Sequence, residues 1–322
     1  MSNQQLLDSI AFFKESVGLV SPVCGSSLEI CNEETEVWLK DKEGNTFTIR
    51  SLVPDFAPVA DSDHGQNAET LESFNFQYGK HEWIYDYDCR RVERILNDVM
   101  KITPEDVRGK SVLIVGCGSG AEVEVFRRFG AAQVLGIDLS TSVHEAQLRQ
   151  IPHGNTLILR ADALQPPLLG GSFDLVYCDG VLPHTQKPLQ VLKKMLWLKK
   201  AGGIMYVRTL GVAVGLKSKG VFYLRQFLRV VTKRMSSSTL WSLSYLFALI
   251  SRVPVLGKLS MKLFVFYDAD ELDLEITRLT NFRMYGDHTF RHHLSVDQIT
   301  GAVKESNDQV QVIYRDTVYI IQ

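Results

Sequence analysis

From Lys110 onward, short apolar runs alternate with segments in which apolar residues recur every three or four positions. The runs, such as VLIVG at residues 112–116, predict buried strands, and the periodic segments, such as AEVEVFRRFG, predict helices. Regular alternation of the two predicts a parallel sheet covered on both faces. The runs VQVIY and VYIIQ predict a terminal antiparallel hairpin, and Ser295 with Gln298 predicts a capping box at the start of the preceding helix. The chain is therefore expected to be an α/β protein with a mixed sheet.

Two other regions depart from this rhythm. VWLKD and TFTIR flank the turn residues of EGN, so we predict a small β-rich N-terminal unit over residues 1–65. We expect a larger domain over residues 66–322, whose first part packs six aromatic residues between positions 74 and 87. Residues 211–290 fit neither pattern and predict a helical insertion within that domain.

Composition narrows the possible partners and compartments. The 322 residues are 45% hydrophobic and carry a net charge of −2, so we expect no general affinity for nucleic acid. Five scattered cysteines do not suggest a disulfide framework and favour a reducing cytoplasm. The first residues have no basic flank followed by an apolar run, and the most apolar stretch is too short to span a bilayer.

The strand at residues 112–116 leads into a glycine turn. Gly116, Gly118 and Gly120 allow a tight turn and close approach of the backbone to a ligand. The following helix would point unpaired N–H groups at that position. Together with Ala121 the turn also fits the G-x-G-x-x-A pattern of dinucleotide folds. The turn by itself is therefore compatible with a dinucleotide, a methyl donor or no ligand.

Later strands bear on these alternatives: nicotinamide enzymes and methyltransferases share the feature at the second strand end, and the third strand separates them. Asp138 ends the next strand, where a carboxylate can accept hydrogen bonds from both hydroxyls of a ribose. Asp162 follows the third strand in RADALQPP, and the fourth strand begins SFDLVYCDGVLPHT. Together the four pieces resemble the class I S-adenosylmethionine-dependent methyltransferases, especially their small-molecule branch. The resemblance covers roughly residues 110–210.

That resemblance implies a Rossmann-like, mostly parallel sheet of seven strands and S-adenosyl-L-methionine as cofactor. It assigns the methionine portion and ribose to the glycine turn, the ribose hydroxyls to the second strand end and the adenine to the third. It also implies that the fourth strand end lies beside the methionine portion. The implied cofactor-binding residues are Gly116, Cys117, Gly118, Gly120, Asp138, Leu139, Asp162, Ala163, Asp179 and Gly180. One departure is Ile114, which stands where many relatives carry an acidic residue.

Candidate catalytic and substrate residues come from three places. His184 is the best candidate for a general base or substrate contact, although a lone loop histidine is as often structural. His288 and His292, in YGDHTFRHH, form either part of the substrate pocket or a polar loop. Phe76 and Tyr78, with Trp83 nearby, could cover the cofactor's sulfonium by cation–π attraction or simply pack against helices.

The insertion carries nine Lys and Arg residues and no acid between positions 211 and 262. Helical periodicity puts apolar and basic residues on different faces of its first helix: Leu224, Phe227, Leu228 and Val231 on one, Arg225, Arg229 and Lys233 on another. The basic face is either solvated or part of a lid that admits an anionic or amphipathic substrate, with Arg225 contacting it. Peripheral membrane contact through residues 211–262 is a related expectation.

The N-terminal unit resembles the zinc-ribbon-like module found ahead of some methyltransferases. A structural zinc site needs four ligands, but only Cys24 and Cys31 are present here. We therefore expect a degenerate version without metal.

Taken together, these observations predict a cytoplasmic methyltransferase acting on a small or amphipathic molecule, with oxygen favoured over nitrogen or carbon as acceptor. The alternatives are a non-catalytic S-adenosylmethionine-binding protein and a nicotinamide-dependent oxidoreductase.

Overall fold

A computed structural model describes residues 3–33, 36–57, 75–76, 82–150, 153–210, 216–253, 273–286, 292–306, 308–314 and 317–322. The chain divides into two units. The larger combines residues 1–66, 77–211 and 290–322, and the smaller combines residues 67–76 and 212–289. The domain boundaries expected from the sequence stay predictions.

The larger unit begins with a helix and a four-stranded antiparallel sheet. These elements are α1 (Asn3–Ser16), β1 (Glu29–Glu33), β2 (Glu36–Lys40), β3 (Thr46–Arg50) and β4 (Val53–Pro54). VWLKD and TFTIR pair as predicted, with Lys40 opposite Thr46. Asp41 closes the turn between them, because its Oδ1 accepts the N–H groups of Glu43 and Asn45, each at 2.9 Å. The predicted small β-rich N-terminal region is confirmed.

A seven-stranded sheet forms the centre of the larger unit. Its strands are β5 (Ser111–Val115), β6 (Gln133–Asp138), β7 (Thr156–Arg160), β8 (Phe173–Asp179), β9 (Lys199–Arg208), β10 (Val310–Tyr314) and β11 (Val318–Ile321). Their order is β10-β11-β9-β8-β5-β6-β7. The strands from β9 to β7 are parallel, whereas β11 pairs antiparallel with both β9 and β10. The predicted mostly parallel, Rossmann-like sheet with a terminal antiparallel hairpin is confirmed.

Helices cover both faces of this sheet because its central strands are apolar on both sides. All residues of β5 are buried; Leu113 and Val115 belong to one buried cluster, and Val112 and Ile114 belong to another. The helices are α2 (Glu82–Arg94), α3 (Pro104–Val107), α4 (Ala121–Arg128), α5 (Val143–Gln150) and α6 (Pro188–Leu198), with a π-helical continuation of α2 at Ile95–Met100.

The smaller unit is helical in its described part. It contains α7 (Leu216–Thr232), α8 (Ser237–Ile250) and α9 (Leu274–Tyr285). Asp273 caps α9 by accepting the N–H groups of Glu275 and Ile276. The buried Thr232 hydroxyl at the end of α7 donates to the carbonyl of Tyr285 at 2.9 Å. None of the helices in the described ranges is long and apolar enough to span a membrane.

The chain then returns to the larger unit through α10 (Val296–Val303). Ser295 and Gln298 form the predicted capping box, because each side chain accepts the backbone N–H of the other residue.

Candidate functional site

The glycine turn joins β5 to α4 at the carboxyl edge of the central sheet. Gly116 and Gly120 have φ angles of +75° and +84°, which favour glycine. A Cβ on Gly116 would lie only 2.1 Å from Cγ2 of Val181, and one on Gly120 would lie 3.0 Å from Cβ of Ala146. Backbone conformation and close packing therefore both require glycine at Gly116. The first N–H groups of α4 have no partner within the helix and are suited to an anionic or polar ligand group.

Asp138 ties this turn to the end of β6. Its Oδ2 accepts the N–H of Gly118 at 2.9 Å, and its Oδ1 accepts the N–H of Ser140 at 2.8 Å. A carboxylate offers about four acceptor positions, so each oxygen retains capacity for a hydroxyl group. The geometry is compatible with the predicted ribose contact, which stays a prediction.

The next strand brings further candidate residues to the same edge. Asp162 follows β7, and its Oδ1 accepts the N–H of Leu164 at 2.8 Å. Ala163 is partly buried against the apolar core. The carbonyl of Leu139 accepts the Nε–H of Arg160 at 3.1 Å. The candidate adenosine residues therefore sit at the ends of two neighbouring strands, β6 and β7.

Asp179, at the end of β8, is held by two arginines, Arg91 and Arg208. Its carboxylate accepts a two-point contact from Arg208: Nε bonds Oδ1, and Nη2 bonds Oδ2 at 2.8 Å. The Nη1 of Arg91 lies 3.8 Å from the same Oδ2. The N–H of Gly180 donates to the carbonyl of Arg208 at 2.9 Å. Asp179 is therefore an ion-pair partner, and its expected place beside the methionine portion stays a prediction.

Glu122, in the first turn of α4, extends this group of charges. Burial raises the pKa of its carboxyl to about 7, the positive charge of Arg91 opposes that rise, and Asp179 and Asp88 add to it. Asp88 also lies 3.5 Å from Nε of Arg91. Three carboxyls and two guanidinium groups thus interact here, which gives one more acid than base.

Cys117 is fully buried in the glycine turn. Burial, reinforced by the charge of Asp138, raises the pKa of its thiol well above the usual value. The thiol therefore stays protonated near neutral pH and is unsuited to act as a nucleophile.

The candidate catalytic histidine lies just beyond β8. His184 ends a short 3-10 turn at Leu182–His184, and the N–H of His292 donates to the carbonyl of Pro183 at 2.8 Å. The structure therefore places the segment of His292 against the turn that carries His184. Their roles toward a substrate stay predictions.

Of four other candidates, two belong to the smaller unit and two lie outside the described residues. Phe76 belongs to the smaller unit, where its ring centroid lies 5.4 Å from that of Phe282 and 6.4 Å from that of Trp241. Arg225 belongs to the same unit and is half-buried on α7. Tyr78 and His288 lie outside the described residues.

Helix α7 differs from the expected pattern. Of its predicted apolar face, Phe227, Leu224 and Val231 are exposed, whereas Arg225 and Arg229 are half-buried. Arg225 and Arg229 are therefore less exposed than Leu224, Phe227 and Val231. Periodicity predicted which apolar residues share one face of α7. It did not predict that this face is exposed.

Cys24, one of the two N-terminal cysteines, is part of a hydrogen-bond network. The Sγ of Cys24 and the hydroxyl of Ser21 both donate to Oδ2 of Asp41, at 3.2 and 2.7 Å. Although burial acts in the opposite direction, hydrogen bonds from Asn45, Ser21 and Cys24 hold the pKa of Asp41 well below its usual range. Across the part of the chain that is described, no three His, Cys, Asp or Glu side chains are grouped as a metal site. The zinc-free state stays a prediction.

Sequence reasoning missed Arg91, Glu122 and Arg208. Glu122 lies in the first turn of α4, just after the glycine turn, and Arg208 is the last residue of β9, so both residues lie at ends of elements that meet at the site. Arg91 has no such signal, because only the packing of α2 brings it to Asp179.

A family comparison covers the strands that carry this edge of the sheet. Residues 113–207 match the methyltransferase domain family. These residues therefore contain the methyltransferase domain that the sequence resemblance predicted.

Curated relatives share the same region. The chain is 34% identical over 157 residues to a ubiquinone biosynthesis O-methyltransferase of Albidiferax ferrireducens, covering 45% of this chain and 60% of the relative. It is 33% identical over 134 residues to a tRNA U34 carboxymethyltransferase of Alcanivorax borkumensis, covering 41% of this chain and 39% of the relative. Thus the chain spans less than two thirds of the length of these relatives.

Solved structures also resemble the chain. An S-adenosylmethionine-dependent methyltransferase from Mesorhizobium loti aligns with a TM-score of 0.41 and 15% identity, covering 67% of this chain and 90% of that one.

Proposed function

We propose that this protein is an S-adenosylmethionine-dependent methyltransferase that modifies a small or amphipathic molecule. The observation that carries the proposal is the convergence of the glycine turn, Asp138, Asp162 and Asp179 at the carboxyl ends of four adjacent parallel strands. Ligands of open α/β sheets bind at that edge. The domain family match supports the same conclusion.

In this proposal the cofactor supplies an already activated methyl group on a sulfonium. Asp138 holds the ribose hydroxyls, and the segment at Asp162 and Ala163 holds the adenine. The charged residues around Asp179 bind the methionine portion of the cofactor. The guanidinium groups of the protein pair with the cofactor's carboxylate, and the additional protein carboxyl pairs with the cofactor's ammonium group. The protein's main contribution is alignment, which can be worth about 7–11 kcal/mol, against about 10²–10⁴-fold for a general base.

We propose oxygen as the acceptor atom, with His184 as the group that contacts the acceptor or takes its proton. The names of several curated relatives, which specify O-methylation, support this choice. His292 completes the substrate side, supported by its proximity to the turn of His184. We place the activity in the cytoplasm, an assignment supported by the five free cysteines.

The cofactor assignment is tested by calorimetric titration with S-adenosylmethionine, S-adenosylhomocysteine and NAD. We expect micromolar binding of the two sulfur compounds and none of NAD. Binding of NAD alone would instead indicate an oxidoreductase. Methyl incorporation from labelled S-adenosylmethionine into metabolite extracts would then reveal the acceptor, and binding without any transfer would favour a non-catalytic protein.

We further propose that the basic insertion favours an anionic or amphipathic substrate. The nine basic residues without an acid at positions 211–262 support this, since they create a positive local potential. Changing Arg225 and Arg229 together to Glu should raise the KM for the substrate while leaving cofactor affinity unchanged. The matched control is Lys40 and Lys42 to Glu, which makes the same charge change at exposed positions outside the insertion. Equal KM values for both variants would reject a specific role for the two arginines.

Peripheral contact of α7 with an anionic membrane surface is the related proposal. Tyr223 and Phe227 are 67% and 66% exposed, and Val230 and Val231 are half exposed, on a helix that also carries basic residues. Apolar side chains with basic neighbours are typical of helices that lie in a lipid interface. Cosedimentation with phosphatidylglycerol vesicles should exceed that with phosphatidylcholine vesicles and should fall when Phe227 and Val231 are changed to Ser. Leu148→Ser, at an exposed position in the larger unit, should have no effect.

A further inference from the structure

The small N-terminal sheet is joined to the central sheet at the edge strand β7. β4 pairs with β3, and the next residue, Asp55, forms a parallel bridge with Arg160 at the end of β7. The N–H of Asp55 donates to Thr48 of β3 at 2.8 Å, and the N–H of Phe56 donates to the carbonyl of Arg160 at 2.7 Å. The chain at residues 55–56 therefore continues the central sheet by one short segment.

This junction lies at the carboxyl ends of the strands, where the cofactor is proposed to bind. Arg160 is the last residue of β7 and is paired in register with Asp138 on β6. The N–H of Ala161 donates to the carbonyl of Asp138 at 3.0 Å. Asp55, Arg160 and Asp138 thus follow one another across the segment at residues 55–56 and the two neighbouring strands β7 and β6.

Side chains connect the same residues. The Nη1 of Arg160 lies 3.0 Å from Oδ2 of Asp55, while its Nε donates to the carbonyl of Leu139 at 3.1 Å. The side chain of Asp55 is 8% exposed and that of Arg160 is 23% exposed, so solvent screens the pair only partly. One guanidinium therefore links the N-terminal sheet to the residue that follows Asp138.

The contact of Arg160 with Asp55 and Leu139 constrains residues 138–140, where β6 ends. Residues 138–140 are fixed on one side by the hydrogen bonds of the Asp138 carboxylate with Gly118 and Ser140. On the other side Arg160 holds the Leu139 carbonyl. Without Asp55, the guanidinium would lose a partner that fixes its orientation, and the Leu139 carbonyl would be held less firmly.

We propose that Asp55 is a positioning residue for the adenosyl half of the cofactor site, acting through Arg160 on Leu139. This inference rests on the proposed function, because it takes S-adenosylmethionine as the ligand. It gives the N-terminal sheet a role in ligand binding without metal and without direct contact with the cofactor.

The test compares S-adenosylhomocysteine with 5′-methylthioadenosine, which lacks the amino-acid end. Asp55→Asn should weaken both ligands by the same factor, about tenfold, which is in the usual range of coupling between sites. Arg160→Lys keeps the positive charge but cannot bridge two acceptors with a planar fork, so it should weaken both ligands similarly. Asp55→Glu, which keeps the acceptor, should restore part of the affinity.

Asp308→Asn is the matched control. It breaks the Lys199–Asp308 ion pair, which has the same 3.0 Å distance and side chains 3% and 16% exposed, at the opposite end of β9. This variant should lose thermal stability without losing affinity for either ligand. If it weakens binding as much as Asp55→Asn, the effect reflects general destabilisation and the proposal fails.

The remaining outcomes are also decisive. Unchanged affinities in Asp55→Asn and Arg160→Lys, or weaker binding of S-adenosylhomocysteine alone, would overturn the proposal. If Asp55→Asn does not fold, Arg160→Lys decides by the same criteria. Failure of the unmodified protein to bind either ligand would instead refute the proposed function, and the two failures are therefore distinguishable.

Discussion

The carboxyl edge of the central sheet and helix α7 differ in which side chains are exposed. Apolar side chains are buried at the sheet edge but exposed on α7. At the sheet edge, Asp138 and Asp179 are fixed by backbone N–H groups or guanidinium groups, and the neighbouring apolar residues are buried. On α7, large apolar side chains are exposed within their own unit, while two arginines are half-buried. The first arrangement holds a site in shape before any ligand arrives. The second leaves apolar surface in solvent, a property typical of surfaces that meet another apolar phase.

The largest effect should come from a methyl group at the glycine turn. Gly116→Ala places Cβ where Val181 already packs and strains a φ of +75°, so we expect S-adenosylhomocysteine binding to fall by about 100-fold or more. Calorimetric titration measures the affinity of each variant for S-adenosylhomocysteine. Gly109→Ala is the control, because its φ is +73° but nothing lies within 4 Å of the added Cβ. If both variants bind equally well, steric closure at the turn is unimportant.

A somewhat smaller loss of affinity for S-adenosylhomocysteine should follow the removal of the Asp138 carboxylate. Asp138→Ala removes the acceptors for Gly118 and Ser140 together with the proposed ribose contact, so most of the affinity for S-adenosylhomocysteine should disappear. Asp174→Ala removes a comparable capping carboxylate, which accepts from Ser111 at the opposite edge, and should spare binding. Retained affinity in Asp138→Ala would contradict the assignment of the site.

The raised pKa of the Glu122 carboxyl should make the free energy of unfolding depend on pH. Its pKa is about 7 in the folded protein against 4.5 in the reference state, so the folded state binds more protons between these values. Its stabilising effect is complete below about pH 4.5 and is lost as the pH rises through 7. Glu122→Gln should therefore gain up to about 3 kcal/mol relative to the unmodified protein between pH 4.5 and pH 8.

Urea unfolding of both proteins across this range measures the difference. Glu145→Gln, at a side chain 55% exposed on α5, is the control and should show no such trend. A pH-independent difference for Glu122→Gln would mean that Arg91 keeps the carboxyl ionised.

The smallest effect is expected on α7. Phe227→Ser should change the free energy of unfolding by no more than about 0.5 kcal/mol, because the ring is already exposed. Phe282→Ser, in the same unit but at a ring only 1% exposed, should lower the free energy of unfolding by about 3 kcal/mol or more. Thermal unfolding of the two variants tests whether the apolar surface of α7 is free in solution, since a large loss for Phe227→Ser would show that the ring is packed.

Local patterns and short spacings were predictable from the sequence. The apolar run of β5, the glycines that follow it and the Ser295–Gln298 capping box depend on residues a few positions apart. The pairs that complete the site depend on tertiary packing: Asp179 with Arg208, Asp179 with Arg91, and Asp55 with Arg160 are separated by long stretches of chain. For α7, periodicity could group the apolar residues but could not decide which group faces solvent, because that depends on what packs beside the helix.

The position of β11 has a consequence for synthesis of the chain. β11 lies between β9 and β10, with Val318 opposite Arg208, so about 110 residues must be made after β9 before its free side is covered. Until then β9 presents an unpaired row of backbone groups, a template for association with other nascent chains. We therefore expect yield during expression to respond strongly to chaperones and temperature, and substitutions that weaken β11 to appear first as aggregation on ribosomes rather than as loss of activity in the purified protein.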